Sequence, residues 1–181
     1  MEIRFKRYGM APRQVKGEAK ELFDKAHNHL QRAVEIYPQN VRALGKLGEL
    51  YLHSGETSAA IEQFTKSLQA MRETRVPEPK VLLLRAQAYL YSSHASPQNG
   101  AQLSQAALHD LDKYDSFRKR RSLPPDAISY NFRGLVYALR RDFPSALENF
   151  DQALALRKDL PEIWNNRGRT HVFLKNFDTA L

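Results

Sequence analysis

Six histidines could bind a metal or shuttle a proton, but their spacing serves neither task. His27 and His29 are two apart, so on a helix they point to different sides and cannot share an ion. There is no Cys, which excludes disulfides and thiolate metal sites. HExxH, a glycine-rich phosphate loop followed by Lys and Ser/Thr, and Gly-x-Ser-x-Gly are all missing. Gly45-Lys46 lacks the preceding glycine and falls inside a helical pattern. No catalytic residue, metal ligand or cofactor site is expected, and nothing supports an enzyme.

What remains is charge. The formal net charge is +8 and the pI about 9.8, a balance that favours acidic partners. The densest run is Arg118, Lys119, Arg120 and Arg121. One reading is a patch for nucleic acid, an anionic surface or nuclear import. The other is cation stabilisation of a helix C-terminus, where carbonyl dipoles point outward. Residues 1–17 form a basic arm in which Glu2 and the missing Ser/Thr count against an organellar leader. No apolar run is long enough to span a membrane. Lack of Cys agrees with a reducing compartment. The expected location is intracellular and cytoplasmic, with an organelle left open.

Helices must carry these charges, and their pattern is plainest over 127–159. Tyr130, Gly134 and Tyr137 fall on one helical face. After Arg141-Asp142-Phe143-Pro144, a second face carries Ala146, Phe150 and Ala153. Gly134 and Ala146 would let two helix axes approach closely, with the aromatics filling the space around that contact. The pattern recurs 34 residues later, from Gly134 to Gly168 and from Ala146 to Ala180, with Trp164 and His171 in the aromatic places. Upstream, Leu44, Gly48, Tyr51, Ala60 and Phe64 do the same.

At these residues the chain resembles the tetratricopeptide repeat family, whose period is about 34 residues of helix–turn–helix. The resemblance implies an all-α, right-handed superhelical solenoid of antiparallel helix pairs. The expected division is a basic arm over 1–17, a capping helix or degenerate half repeat over 18–40, and repeats over 41–78, 79–126 and 127–160. A truncated repeat over 161–181 follows, only a few residues into its second helix, as in a piece of a longer protein. In the repeat over 79–126, nine extra residues around Ser92 to Gly100 are polar and carry Pro and Gly, so a surface loop is expected there. Thr57 or Ser58 is expected to cap the second helix of the repeat over 41–78.

In the family, first helices line a concave surface that binds helical or extended peptides. Carried over by repeat place, that surface here includes Arg42, Lys46, Glu49 and Leu52, then Lys80, Leu83, Leu84, Gln87 and Tyr91. It continues with Asn131, Phe132, Leu135 and Leu139, and finally Asn166, Arg169 and Phe173. Its middle is apolar, and exposed apolar patches normally mark an interface. The implied function is a scaffold or adaptor that holds a partner protein's helix or extended segment within a multiprotein complex. An RNA-associated assembly factor using the basic arm and Arg118 to Arg121 is the alternative. Co-chaperones of the family grip acidic C-termini with Lys, Asn and Arg. The matching places hold Gly45, Glu49, Leu84, Ile128 and Phe132, or one repeat later Leu83, Gln87, Phe132, Glu162 and Asn166, and neither set can do this. Arg85, Arg133 and Arg167 share one repeat place, where a packed stem with a paired head is expected.

Overall fold

The computed structural model describes residues 18–95 and 97–178, so the basic arm and Ala180 lie outside what is described. In order, the elements are α1 (Glu18–Ile36), α2 (Val41–Ser54), α3 (Thr57–Thr74), α4 (Lys80–Ala95), a 3₁₀ turn (Pro97–Asn99), α5 (Gly100–Arg120), α6 (Ala127–Leu139), α7 (Phe143–Leu156) and α8 (Pro161–Asp178). There is no strand among the described residues, and the fold is all-α. The chain divides into two compact units, one ending at Ala88 and the other beginning at Tyr89.

In the first unit, Asn40 caps α2 by accepting the Ala43 N–H at 3.1 Å. The other end of α2 closes on Gly55 at φ 85. Its N–H reaches the Leu52 carbonyl and the Glu56 N–H reaches that of Tyr51, a Schellman closure that needs the left-handed conformation. The chain then reverses into α3. The Phe64 ring lies against Gly48, so close that a methyl group there would overlap it. The Ser67 hydroxyl donates to the Val41 carbonyl at 2.8 Å. Pairing Gly48 with Phe64 and Val41 with Ser67 requires the two helices to run antiparallel. Val41, Leu44 and Ala70 form a core on which Val34 of α1 and Met71 pack. Tyr51 meets His27 of α1 at 2.8 Å, with the rings edge-on. The expected cap at Thr57 or Ser58 is not used. Glu56 is the N-cap, and it makes no side-chain cap bond because its carboxylate takes the Ser54 hydroxyl at 2.7 Å.

The second unit repeats the device. Asp126 caps α6 by accepting from the Ile128 N–H, and Asp142 caps α7 by accepting from the Ser145 N–H. Between them Arg141 stands where Gly55 stood, at φ 61, with the same closure: its N–H reaches the Ala138 carbonyl and the Asp142 N–H that of Tyr137. Phe150 is fully buried on Gly134, with Ala127, Ala146, Ala153, Leu154 and Ile163 around it and Tyr130 and Tyr137 at the edge.

Two expectations fail in this unit. The nine extra residues do not form a surface loop. Helix α4 runs through to Ala95 and α5 begins at Gly100, so the extra length goes mostly into longer helices. Ser93 is buried, with its hydroxyl donating to the Gly100 carbonyl at 3.0 Å and 3.3 Å from that of Ser104. Serines bonded in this way are compatible with a helix interior, which polarity alone does not reveal. The second concerns the truncated repeat over 161–181, expected to turn into a second helix at Lys175-Asn176, 34 residues after Arg141-Asp142. There α8 continues to Asp178, where α2 and α6 close and turn, since no Gly or Pro interrupts Leu174 to Asp178.

Gly168 shares the register of Gly48 and Gly134, yet nothing would lie within 4 Å of a methyl group on it. Trp164 and Val172 on the same helix are 50% and 58% exposed. Opposite outcomes are therefore expected for one substitution at two equivalent places. At Gly134 an Ala methyl would fall 2.5 Å from Phe150 Cε1, and overpacking of that kind costs about 1–3 kcal/mol. Gly168→Ala should stabilise by about 0.5–1 kcal/mol through helix propensity alone. Urea unfolding midpoints of the two variants check this.

Candidate functional site

The first unit contains a cleft of about 260 Å³ between the starts of α2 and α4. Gly45 of α2 and Val81 and Leu84 of α4 supply its apolar part, and Arg42, Lys46, Glu49, Glu78 and Lys80 its charges. Gly45 lets α4 come close, since a methyl there would be 3.3 Å from Val81. Glu49 accepts from Lys46 at 2.8 Å and lies 3.7 Å from Lys80. Arg42 is exposed and has no carboxylate partner among the described residues. Arg42, Lys46, Glu49, Lys80 and Leu84 were all placed on the concave surface by repeat position. Gly45, Glu78 and Val81 were not. The Pro77-Glu78-Pro79 stretch reads as a spacer, but it starts α4, with the Val81 and Leu82 N–H groups bonding back to Glu78 and Pro79.

The twelve residues expected to line an apolar groove do not share one environment. Leu52, Leu83, Asn131 and Asn166 are buried, with exposures of 8% or less. Their side chains are spent inside the protein rather than offered at a surface. Leu84, Gln87, Tyr91, Phe132, Leu135, Leu139, Arg169 and Phe173 are half-buried. In the second unit, α6 and α8 bring one pair of these residues together. Asn166 Nδ2 donates to Asn131 Oδ1 at 2.9 Å, and the Thr170 hydroxyl donates to the Asn166 carbonyl. Leu135 packs against the core, and Phe173 stacks on Phe143 at 6.2 Å.

The three arginines at one repeat place tie each first helix to the helix before it. Arg85 donates to Thr65 at 2.9 Å. Arg133 reaches Asp115 at 2.8 Å and Asp112 at 2.7 Å, and Arg167 reaches Asp151 at 2.6 Å. Burial alone would lower the pKa of Arg133, but the hydrogen bonds it donates to the two carboxylates and their negative charge outweigh it and hold the value above the ordinary one.

The basic run divides in two. Arg118 is drawn into the joint between α5 and α6. Its Nε donates to the Pro124 carbonyl at 2.9 Å and another nitrogen to the Tyr114 hydroxyl at 3.2 Å. Tyr114 in turn donates to Asp126 at 2.6 Å. Burial, then that hydrogen bond, pushes the Tyr114 pKa up to about 12. Lys119, Arg120 and Arg121 stay exposed. Among the described residues, no three His, Cys, Asp or Glu side chains cluster as metal ligands, and no helix is long and apolar enough to cross a membrane.

Residues 19–88 match a family model described as tetratricopeptide repeat. Stress-induced-phosphoprotein 1 of Caenorhabditis elegans is 21% identical over 177 residues, which cover 88% of this chain. They cover 54% of that protein, so the chain spans about half the length of this curated relative. Among solved structures, the thermophilic TPR protein TTC0263 of Thermus thermophilus is 26% identical with a TM-score of 0.66, over 88% of this chain and 78% of that one. MamA is 20% identical with a TM-score of 0.65, over 86% and 81% of the two chains. A chain of the APC/C hetero-tetramer Cut9–Hcn1 is 18% identical with a TM-score of 0.65, over 90% of this chain and 29% of that one. At such low identity the last two likenesses are of fold.

Two outcomes follow from the geometry. A double-mutant cycle on Arg133 and Asp115 should give a coupling of about 1–2 kcal/mol, whereas the more exposed Arg167–Asp151 pair should give about 0.5 kcal/mol or less. The Tyr114 pKa is raised on folding, so its share of stability is complete below pH 10 and is lost as pH rises from 10 towards 12. Thermal unfolding across that range should fall less steeply for Tyr114→Phe than for the parent.

Proposed function

We propose that the chain, whose residues 19–88 match the tetratricopeptide-repeat family model, is a non-catalytic member of that family, an adaptor that holds a segment of another protein. The observation that carries this reading is the first unit's cleft, with apolar Val81 and Leu84 beside a rim of mixed charge. Such a site suits an extended or helical segment whose apolar side chains sit on half-buried Leu84, above the buried Val81, and whose carboxylate meets Arg42. Lys46 and Lys80 are already engaged by Glu49, so the rim as a whole does not demand a strongly acidic ligand. In the second unit, Phe132, Leu139, Arg169 and Phe173 are the half-buried side chains from the predicted surface that remain candidates for a contact. A complex-forming role within a larger assembly is the natural use of such a module.

Display of a random peptide library against the chain tests this. Recovered binders should carry apolar residues near an acidic one. Arg42→Glu should weaken them by about tenfold, the scale of one charge contact at an interface. Leu84→Asp should abolish binding while leaving the helical circular dichroism intact. Binders indifferent to both changes, or a requirement for an acidic C-terminal tail alone, would overturn the reading.

A further inference from the structure

Once the cleft and the arginine ties are accounted for, the end of α5 is left without a role. Lys119 and Arg120 are exposed and have no carboxylate partner among the described residues, and Arg121 lies over the Phe117 ring at 5.4 Å. Ser122 follows them, exposed and at φ 53, and then Leu123, 45% exposed. Pro124 and Pro125 come next. They lack an N–H and cannot prolong the helix. The stretch Lys119-Arg120-Arg121-Ser122-Leu123 thus presents a hydroxyl with cations two and three residues before it and an apolar residue after it.

Protein kinases discriminate among hydroxyls largely by such charge patterns. We propose that Ser122 is a phosphoacceptor for a serine kinase that selects basic sequences. In the transfer, the kinase's catalytic aspartate accepts the proton of the Ser122 hydroxyl. Oγ bonds to the γ-phosphorus of ATP, the bond to the bridging oxygen breaks, ADP leaves, and the proton passes to water. The required co-reactant is ATP with magnesium, carried by the kinase.

Access is favourable at this place. The closure of α5 must open, where the Ser122 and Leu123 N–H groups bond to the Lys119 and Arg118 carbonyls, together with the exposed tie from Arg118 to the Pro124 carbonyl. Helix ends open locally far more easily than cores. Ser104 and Ser129, in contrast, are buried within helices. A phosphoryl group adds a charge of about −1.5 to −2 at the carbonyl end of α5, where the helix dipole disfavours an anion. The expected consequence is a neutralised basic run and a frayed last turn.

The test is incubation of the folded chain with the catalytic subunit of a cyclic-AMP-dependent kinase and labelled ATP, followed by peptide mapping. The label should fall on Ser122. It should vanish in Ser122→Ala and slow by at least an order of magnitude in Arg120→Glu, with unfolding midpoints unchanged. Label absent, placed on another hydroxyl, or acquired at Ser122 only after heat unfolding would overturn the proposal.

Discussion

The structure depends on one contact made twice, a phenylalanine ring lying on a glycine of the preceding helix. Phe64 on Gly48 and Phe150 on Gly134 are both fully buried. A side chain on either glycine would push the helices apart. Removing a ring that size from a packed site costs about 3–5 kcal/mol, a large part of a domain's stability. The left-handed turns at Gly55 and Arg141 serve this contact, because they reverse the chain in two and three residues respectively and return the next helix at the right height. Such closures favour glycine. Arg141 takes the strained conformation without that freedom, at a cost repaid by the packing on either side.

Packing by rings and small residues holds a hairpin together but leaves its outer surfaces open to chemistry. The arginines at Arg85, Arg133 and Arg167 address the next level, joining each hairpin to the helix before it through polar contacts at the rim. Charge is then used locally in different ways. It is paired around Glu49 in the cleft, bound into the joint at Arg118, and left exposed from Lys119 to Arg121. The formal net charge of +8 is therefore a poor guide to a binding surface.

The repeating contact was legible because Gly and Phe recur at fixed spacing, and spacing is what a sequence displays directly. Residues beside the cleft were partly legible for the same reason, since Arg42, Lys46, Glu49, Lys80 and Leu84 follow from repeat place. Others depended on facts that no spacing carries. Whether Leu52 and Leu83 face solvent or interior turns on how closely neighbouring helices approach. That Ser93 lies inside a helix turns on a carbonyl seven residues away. Glu56 stands at the N-cap in place of the expected hydroxyl, yet makes no cap bond because its carboxylate takes the Ser54 hydroxyl. In each case local composition pointed one way and a contact from the fold decided otherwise.

The buried amide pair of Asn131 and Asn166 has an effect beyond its own energy. Two side-chain amides cut off from water must find each other or remain unsatisfied, at about 1–3 kcal/mol for each group left alone. A slip of α8 along α6 by one helical turn would strand both amides. The pair therefore acts as a latch on alignment, excluding shifted stackings that greasy surfaces alone would tolerate.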